Sequence, residues 1–123
     1  MLILGNSDLG IYKFRKELIQ ALIDDGNEVT LSLPYGDYIS LLEKTGCIFH
    51  KTLIDRRGMN PYKDIQLLLQ YNRLIREIKP DVVLTYTIKP NIYGGIICRW
   101  HHVRYIANVT GLGTAVEKGG FLS

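Results

Sequence analysis

A chain of 123 residues has room for one packed core but not two, and with 46% apolar and 22% charged residues it excludes disordered, coiled-coil and collagen-like readings. A net charge of +3 is too weakly basic to imply nucleic acid, and no dense basic arm exists: Arg56 and Arg57 are adjacent, and Lys13, Arg15 and Lys16 form one short cluster. The longest apolar stretches, such as Val82 to Ile88, fall far short of the roughly 20 residues that a membrane-spanning helix needs.

Met1 to Gly5 has no basic region and reads at once as a strand, so a secretory leader is not expected. The strand runs into Gly5-Asn6-Ser7-Asp8-Leu9-Gly10, after which Ile11, Phe14, Leu18 and Leu22 repeat with helical spacing. Gly26 ends that helix. Glu28 to Leu33 is a second strand, stopped by Pro34 and Gly36, and Asp37 is the expected N-cap of a short helix closed by Gly46. Cys47 to Ile54 is a third strand. Asn60-Pro61 is a cap with proline at the first helical position, and Ile65, Leu68, Ile75 and Ile78 place an apolar stripe on a long helix that ends before Pro80. Asp81 to Thr87 is the fourth strand, Asn91 to Trp100 a fourth helix, and Arg104 to Val109 the fifth strand.

This alternation calls for an α/β fold: a Rossmann-like three-layer sandwich with a parallel sheet of about five strands and helices on both faces. With the order 3-2-1-4-5, the first and fourth strands meet at the topological switch point, and the loops Gly5 to Gly10 and Thr87 to Gly95 flank one crevice beside Thr110 to Gly113.

Each loop has chemistry suited to binding rather than proton transfer. Gly5 and Gly10 have P-loop spacing, but Ile11 and Tyr12 stand where lysine and Ser/Thr would hold phosphate and magnesium, so this is not a Walker A site. No G-x-G-x-x-G follows the first strand, and no acidic residue ends the second, so no nicotinamide cofactor is expected. Asn6, Ser7 and Asp8 leave a ligand role for the first loop open beside a packing role. Lys89, stiffened by Pro90 and followed by Asn91 as a helix cap, is suited to an anion, with Gly94 and Gly95 permitting close approach. Asn108, Thr110 and Gly111 offer amide, hydroxyl and backbone N–H groups. Asp55 with Thr85 or Thr87 resembles a phosphoacceptor arrangement, but the acidic pair and lysine that a receiver domain needs are missing. His50, His101 and His102 form no metal pattern, and Cys47 and Cys98 read as reduced core thiols of a cytoplasmic protein.

Two passages, Thr87-x-Lys89-Pro90-Asn91-x-Tyr93-Gly94-Gly95 and Asn108-Val109-Thr110-Gly111-Leu112-Gly113, resemble the N-terminal domain of bacterial GT-B glycosyltransferases of family 4. Gly5-Asn6-Ser7, Phe14-Arg15-x-Glu17-Leu18 and Lys79-Pro80-Asp81-Val82-Val83 extend the resemblance over nearly the whole chain. It implies an acceptor-binding half, here residues 1–123, of a retaining enzyme that moves a sugar from a nucleotide-sugar to a polysaccharide or lipid-linked oligosaccharide precursor. It implies no metal or other cofactor, a donor bound mainly by a second domain, no nucleic acid partner, and a place in the cytoplasm or peripherally at the inner face of the plasma membrane. On this resemblance the acceptor or phosphate site is Gly5, Asn6, Ser7, Gly10, Thr87, Lys89, Asn91, Gly94, Asn108, Thr110 and Gly111, with no assigned catalytic residue. The donor domain's pair of glutamates, separated by seven residues, is absent from the sequence, so the expectation is a truncated half that is inactive alone. A non-catalytic binding module, a subunit of a split enzyme, and half of a sugar-nucleotide epimerase remain alternatives.

Overall fold

The computed structural model describes residues 1–54 and 60–108. Its strands are β1 (Leu2–Leu4), β2 (Thr30–Leu33), β3 (Ile48–Lys51), β4 (Val82–Tyr86) and β5 (Arg104–Asn108). They form one parallel sheet, as the alternation predicts, and its order is β3-β2-β1-β4-β5, the one that brings the first and fourth strands together. The helices are α1 (Asp8–Asp24), α2 (Ile39–Glu43), α3 (Pro61–Ile78) and α4 (Gly95–Trp100), the last entered through a π-helical turn at Pro90–Gly94.

Side chains alternate across the pleat and divide the core in two. Ile3, Leu31, Leu33, Leu84 and Tyr86 point to one face, where Ile11 and Ile19 of α1 and Ile39 and Leu42 of α2 cover them. Leu2, Leu4 and Val83 point to the other, under Leu67, Tyr71, Leu74 and Ile75 of α3 and Cys98 of α4. All three β1 residues are fully buried, as a central strand covered on both sides requires.

Several boundaries differ from expectation for physical reasons. The ladder to β1 starts at Leu2 opposite Thr30, so Glu28 and Val29 precede β2. β3 ends at Lys51 because its partner β2 ends at Leu33; beyond it, Gln70 takes over both backbone groups of Leu53, accepting from the N–H at 3.0 Å and donating to the carbonyl at 3.0 Å. Asp37 does not cap α2. Tyr38 occupies that position with no side-chain cap, and its backbone N–H donates instead to Asp8 Oδ2 at 2.8 Å.

The Asn60-Pro61 start is as predicted: Asn60 Oδ1 accepts from the Tyr62 N–H at 3.0 Å. The buried stripe of α3 is Leu67, Tyr71, Leu74 and Ile75, whereas Ile65 is 53% exposed. Of the expected stripe, Ile75 is buried and Ile78 packs against the same cluster, so the expectation holds at the carboxyl end of the helix and fails at Ile65.

Candidate functional site

The carboxyl ends of β1 and β4 lie side by side, and the chain leaves them toward opposite faces of the sheet, to α1 and to α4. That divergence opens a cleft of about 220 Å³ at the switch point. Gly5, Asn6 and Ser7 form one rim, Gly10, Ile11, Phe14 and Arg15 of α1 form a wall, and Tyr86 and Thr87 close the far side.

The first rim is built by a helix start. Ser7 is the N-cap of α1, its Oγ accepting from the Gly10 N–H at 3.3 Å, so Gly10 belongs to the first helical turn rather than to a loop. Asp8 is turned away to the Tyr38 N–H, against Gly36. Asn6 is the one member of the Asn6-Ser7-Asp8 trio whose side chain has no partner among the described residues. Gly5 sits where a Cβ would come 2.7 Å from Leu33 Cδ2, which holds the backbone down on β2, and its N–H donates to Ser32 O at 3.1 Å.

Arg15, one turn beyond Ile11, carries its guanidinium 4.9 Å from the centre of the Tyr86 ring. Burial raises the Tyr86 phenol above its ordinary value, with Arg15 opposing the shift. The hydroxyl therefore remains protonated at neutral pH and cannot serve as a base there. Arg15 and Tyr86 are the titratable side chains among the described cleft residues, so the wall offers one cation and a helix N-terminus but no carboxylate or imidazole. Such a surface can hold and orient an anionic group.

The second rim is internally engaged. Thr87 has φ of +73°, a left-handed conformation costly for a β-branched residue, and its hydroxyl donates to the Tyr86 carbonyl. Lys89 Nζ lies 2.8 Å from Asp64 Oδ1 of α3, and Tyr93 donates to Asp64 Oδ2 at 3.0 Å. The Lys89 hydrogen bond, first among the causes, holds the Asp64 carboxyl below its ordinary range; the Asp64 bond in turn raises the Tyr93 phenol.

Asn91 does not cap a helix. Its Oδ1 accepts from Thr85 Oγ1 at 2.7 Å and its Nδ2 donates to the Asn108 carbonyl at 2.9 Å, tying β4 to β5. Asn108 Nδ2 reaches the Thr85 carbonyl at 3.3 Å. Gly94 is buried, and a Cβ there would come 2.6 Å from Leu4 Cδ1 and 3.1 Å from Thr85 Cγ2, so its bareness serves helix-on-sheet packing.

Of the residues expected from sequence, Gly5, Asn6, Ser7, Gly10 and Thr87 line the cleft. Lys89, Asn91, Gly94 and Asn108 support its far rim from behind. Thr110 and Gly111, like Asp55, lie outside the described residues. Sequence reasoning missed Arg15 and Tyr86 as cleft residues. The four-residue step from Ile11 to Arg15 carried a usable signal, but the contact with Tyr86 had none. Among the described residues no three His, Cys, Asp or Glu side chains converge as a metal site would require. Cys47 and Cys98 are buried free thiols whose pKa values burial raises, that of Cys98 to about 11.

Solved structures share this five-stranded parallel sheet. MurG of Acinetobacter baumannii superimposes with a TM-score of 0.66 at 19% identity, over 88% of this chain and 33% of that one. A UDP-N-acetylglucosamine 2-epimerase gives 0.65 at 15% identity, over 86% and 32%. The chain belongs to the glycosyl transferase 4-like family, whose model matches residues 2–121. It is also similar to the N,N'-diacetylbacillosaminyl-diphospho-undecaprenol alpha-1,3-N-acetylgalactosaminyltransferase of Campylobacter jejuni, 26% identical over 119 residues. This match takes in 96% of the chain but 32% of that relative, so the chain spans about a third of the enzyme it resembles.

Proposed function

We propose that this chain is the acceptor-binding half of a retaining glycosyltransferase, and that its cleft receives the diphosphate and first sugars of a lipid-linked acceptor in cell-envelope polysaccharide or oligosaccharide assembly. The observation that carries the reading is the combination, at one switch point, of the α1 N-terminus, the Arg15 guanidinium and the unpartnered Asn6 amide. An N-terminal helical turn and a guanidinium attract phosphate oxygens, and an amide suits a sugar hydroxyl. The relative whose name specifies a diphospho-undecaprenol acceptor supports the lipid-linked assignment.

In this reading the described residues hold and orient the acceptor, and the nucleotide-sugar donor arrives from a second domain. The cleft wall has no carboxylate or imidazole within the described residues, which favours this role over an epimerase half, where acid and base groups would face the sugar. The chain alone is then expected to turn over no sugar nucleotide.

Isothermal titration tests the proposal. A water-soluble polyprenyl-diphosphate-sugar analogue should bind, and nucleotide-sugars should bind far more weakly. Preference for the nucleotide-sugar, or turnover by the isolated chain, would overturn the reading.

A further inference from the structure

Phe14 is surplus to the core. Ile11 and Ile19 of α1 are buried against the sheet, whereas Phe14 is 71% exposed and stands on the cleft wall. A side chain on a helix leans toward the amino end, over the residue four places before it. For Phe14 that residue is Gly10, which also lines the cleft. The ring therefore overhangs a bare first turn, and the two positions form a notch with an aromatic wall and a backbone floor.

No contact among the described residues requires Gly10 to be bare. A Cβ at Gly5 would come 2.7 Å from Leu33, and one at Gly94 2.6 Å from Leu4, so packing accounts for both. At Gly10 the nearest atoms are Cβ and Oγ of Ser7, both at 3.9 Å, an ordinary contact. Gly10 lies inside α1, where alanine is the more stable residue, and its φ is not positive. An alanine would fold as well but would occupy the notch, so what the glycine preserves is the space itself.

The polar groups around the notch are mostly engaged. Ser7 Oγ accepts from the Gly10 N–H, the Thr87 hydroxyl donates to the Tyr86 carbonyl, and Arg15 Nη1 donates to the Phe14 carbonyl at 3.1 Å while its guanidinium lies over the Tyr86 ring. With the remaining Arg15 donors directed to phosphate, Asn6 is the cleft side chain left for a sugar, and Ile11, Phe14 and Tyr86 add carbon. A sugar hydroxyl turned against this wall would lose water without gaining a partner, whereas a methyl would bury apolar area at no such cost.

We propose that the Gly10–Phe14 notch is a specificity pocket for the methyl of an acetamido group, so that the cleft prefers an acceptor whose diphosphate-linked sugar carries a 2-acetamido group over the same sugar with a hydroxyl in its place. The C–H face of the sugar packs on the Phe14 ring, and the methyl enters the space above Gly10. Asn6, the unpartnered amide of the same cleft, matches the one donor and one acceptor of the acetamido group. The proposal rests on the reading of the cleft as an acceptor site and adds the class of sugar that it selects.

The test is titration calorimetry of the whole chain with two short-chain polyprenyl diphosphate sugars, one carrying N-acetylglucosamine and the other glucose. The N-acetylglucosamine form should bind about fivefold more tightly, the scale of one buried methyl group. Gly10→Ala should bring the ratio of the two affinities close to one, with native circular dichroism and a melting temperature no lower than before. Phe14→Ala should weaken binding of the N-acetylglucosamine form about fivefold, also with a native spectrum, because the ring is exposed. Equal binding of the two sugars by the unsubstituted chain, or a preference that survives Gly10→Ala, would overturn the notch as a specificity pocket while the acceptor reading stands. Binding of neither sugar would overturn the acceptor reading and the notch with it.

Discussion

The two rims of the cleft are built from similar residues and spend them differently. On the β1 side, one cap bond from Ser7 and one tether from Asp8 fix the helix start, which leaves Asn6 without an intramolecular partner among the described residues. On the β4 side, Thr85, Asn91 and Asn108 bond to one another, and Lys89, Asp64 and Tyr93 form a second group. Polar residues at a switch point can thus serve either a ligand or the scaffold, and their hydrogen-bond partners tell which. The β1 rim is available to a ligand; the β4 rim is braced so that Thr87 can keep its left-handed backbone.

Substitutions should separate the rims, with stability responding on one side and binding on the other. The largest stability effect is expected from Asn91→Ala, which strands the Thr85 hydroxyl, fully buried, and should cost about 2–3 kcal/mol in denaturant unfolding. Gly94→Ala should cost about 2 kcal/mol in the same measurement, because the new Cβ meets Leu4 within the core. Ser7→Ala removes a helix cap and should cost about 1 kcal/mol.

Lys89→Met tests the bracing through pH. The Asp64 carboxyl is depressed below 3.8, chiefly by the Lys89 hydrogen bond. A depressed folded pKa contributes stability that is fully present above the unfolded value and is lost as pH falls through the folded one. In Lys89→Met the carboxyl resonance of Asp64 should titrate at higher pH, and the loss of stability in acid below 3.8 should become shallower. Asn6→Ala should change stability least, within about 0.5 kcal/mol, while weakening binding of the diphosphate-sugar analogue. The comparison fails if Asn6→Ala unfolds the chain, or if Asn91→Ala leaves stability intact and abolishes binding.

Much of the architecture was legible because it rests on local and periodic signals. Apolar runs ending in glycine and polar residues marked β1, β4 and β5, Asn60-Pro61 marked the start of α3, and Gly26 and Gly46, with φ of +93° and +103°, marked two helix ends. Alternation with right-handed crossovers gave the parallel sheet, and the 3-2-1-4-5 order, taken as a condition on the sequence alone, is the one observed and places both rims at one cleft.

What stayed hidden depends on contacts between residues distant in sequence. The Asp64 partner of Lys89 lies on another helix, Asn91 looks like a cap until β5 is seen beside it, and Arg15 reaches Tyr86 across the cleft. On α3 the sheet likewise decides that Leu67 and Tyr71 are buried and Ile65 is not, while Ile75 and Ile78 meet the core as expected.

The most direct test of the central claim is a map of amide chemical shifts as the chain is titrated with a soluble polyprenyl-diphosphate-sugar analogue. The largest shifts should fall at Asn6, Ser7, Gly10 and Thr87, and Arg15→Gln should diminish them without altering the rest of the spectrum. Shifts centred on Lys89 and Asn91 with the β1 rim silent, or no response to the analogue, would contradict the assignment of this cleft as the acceptor site.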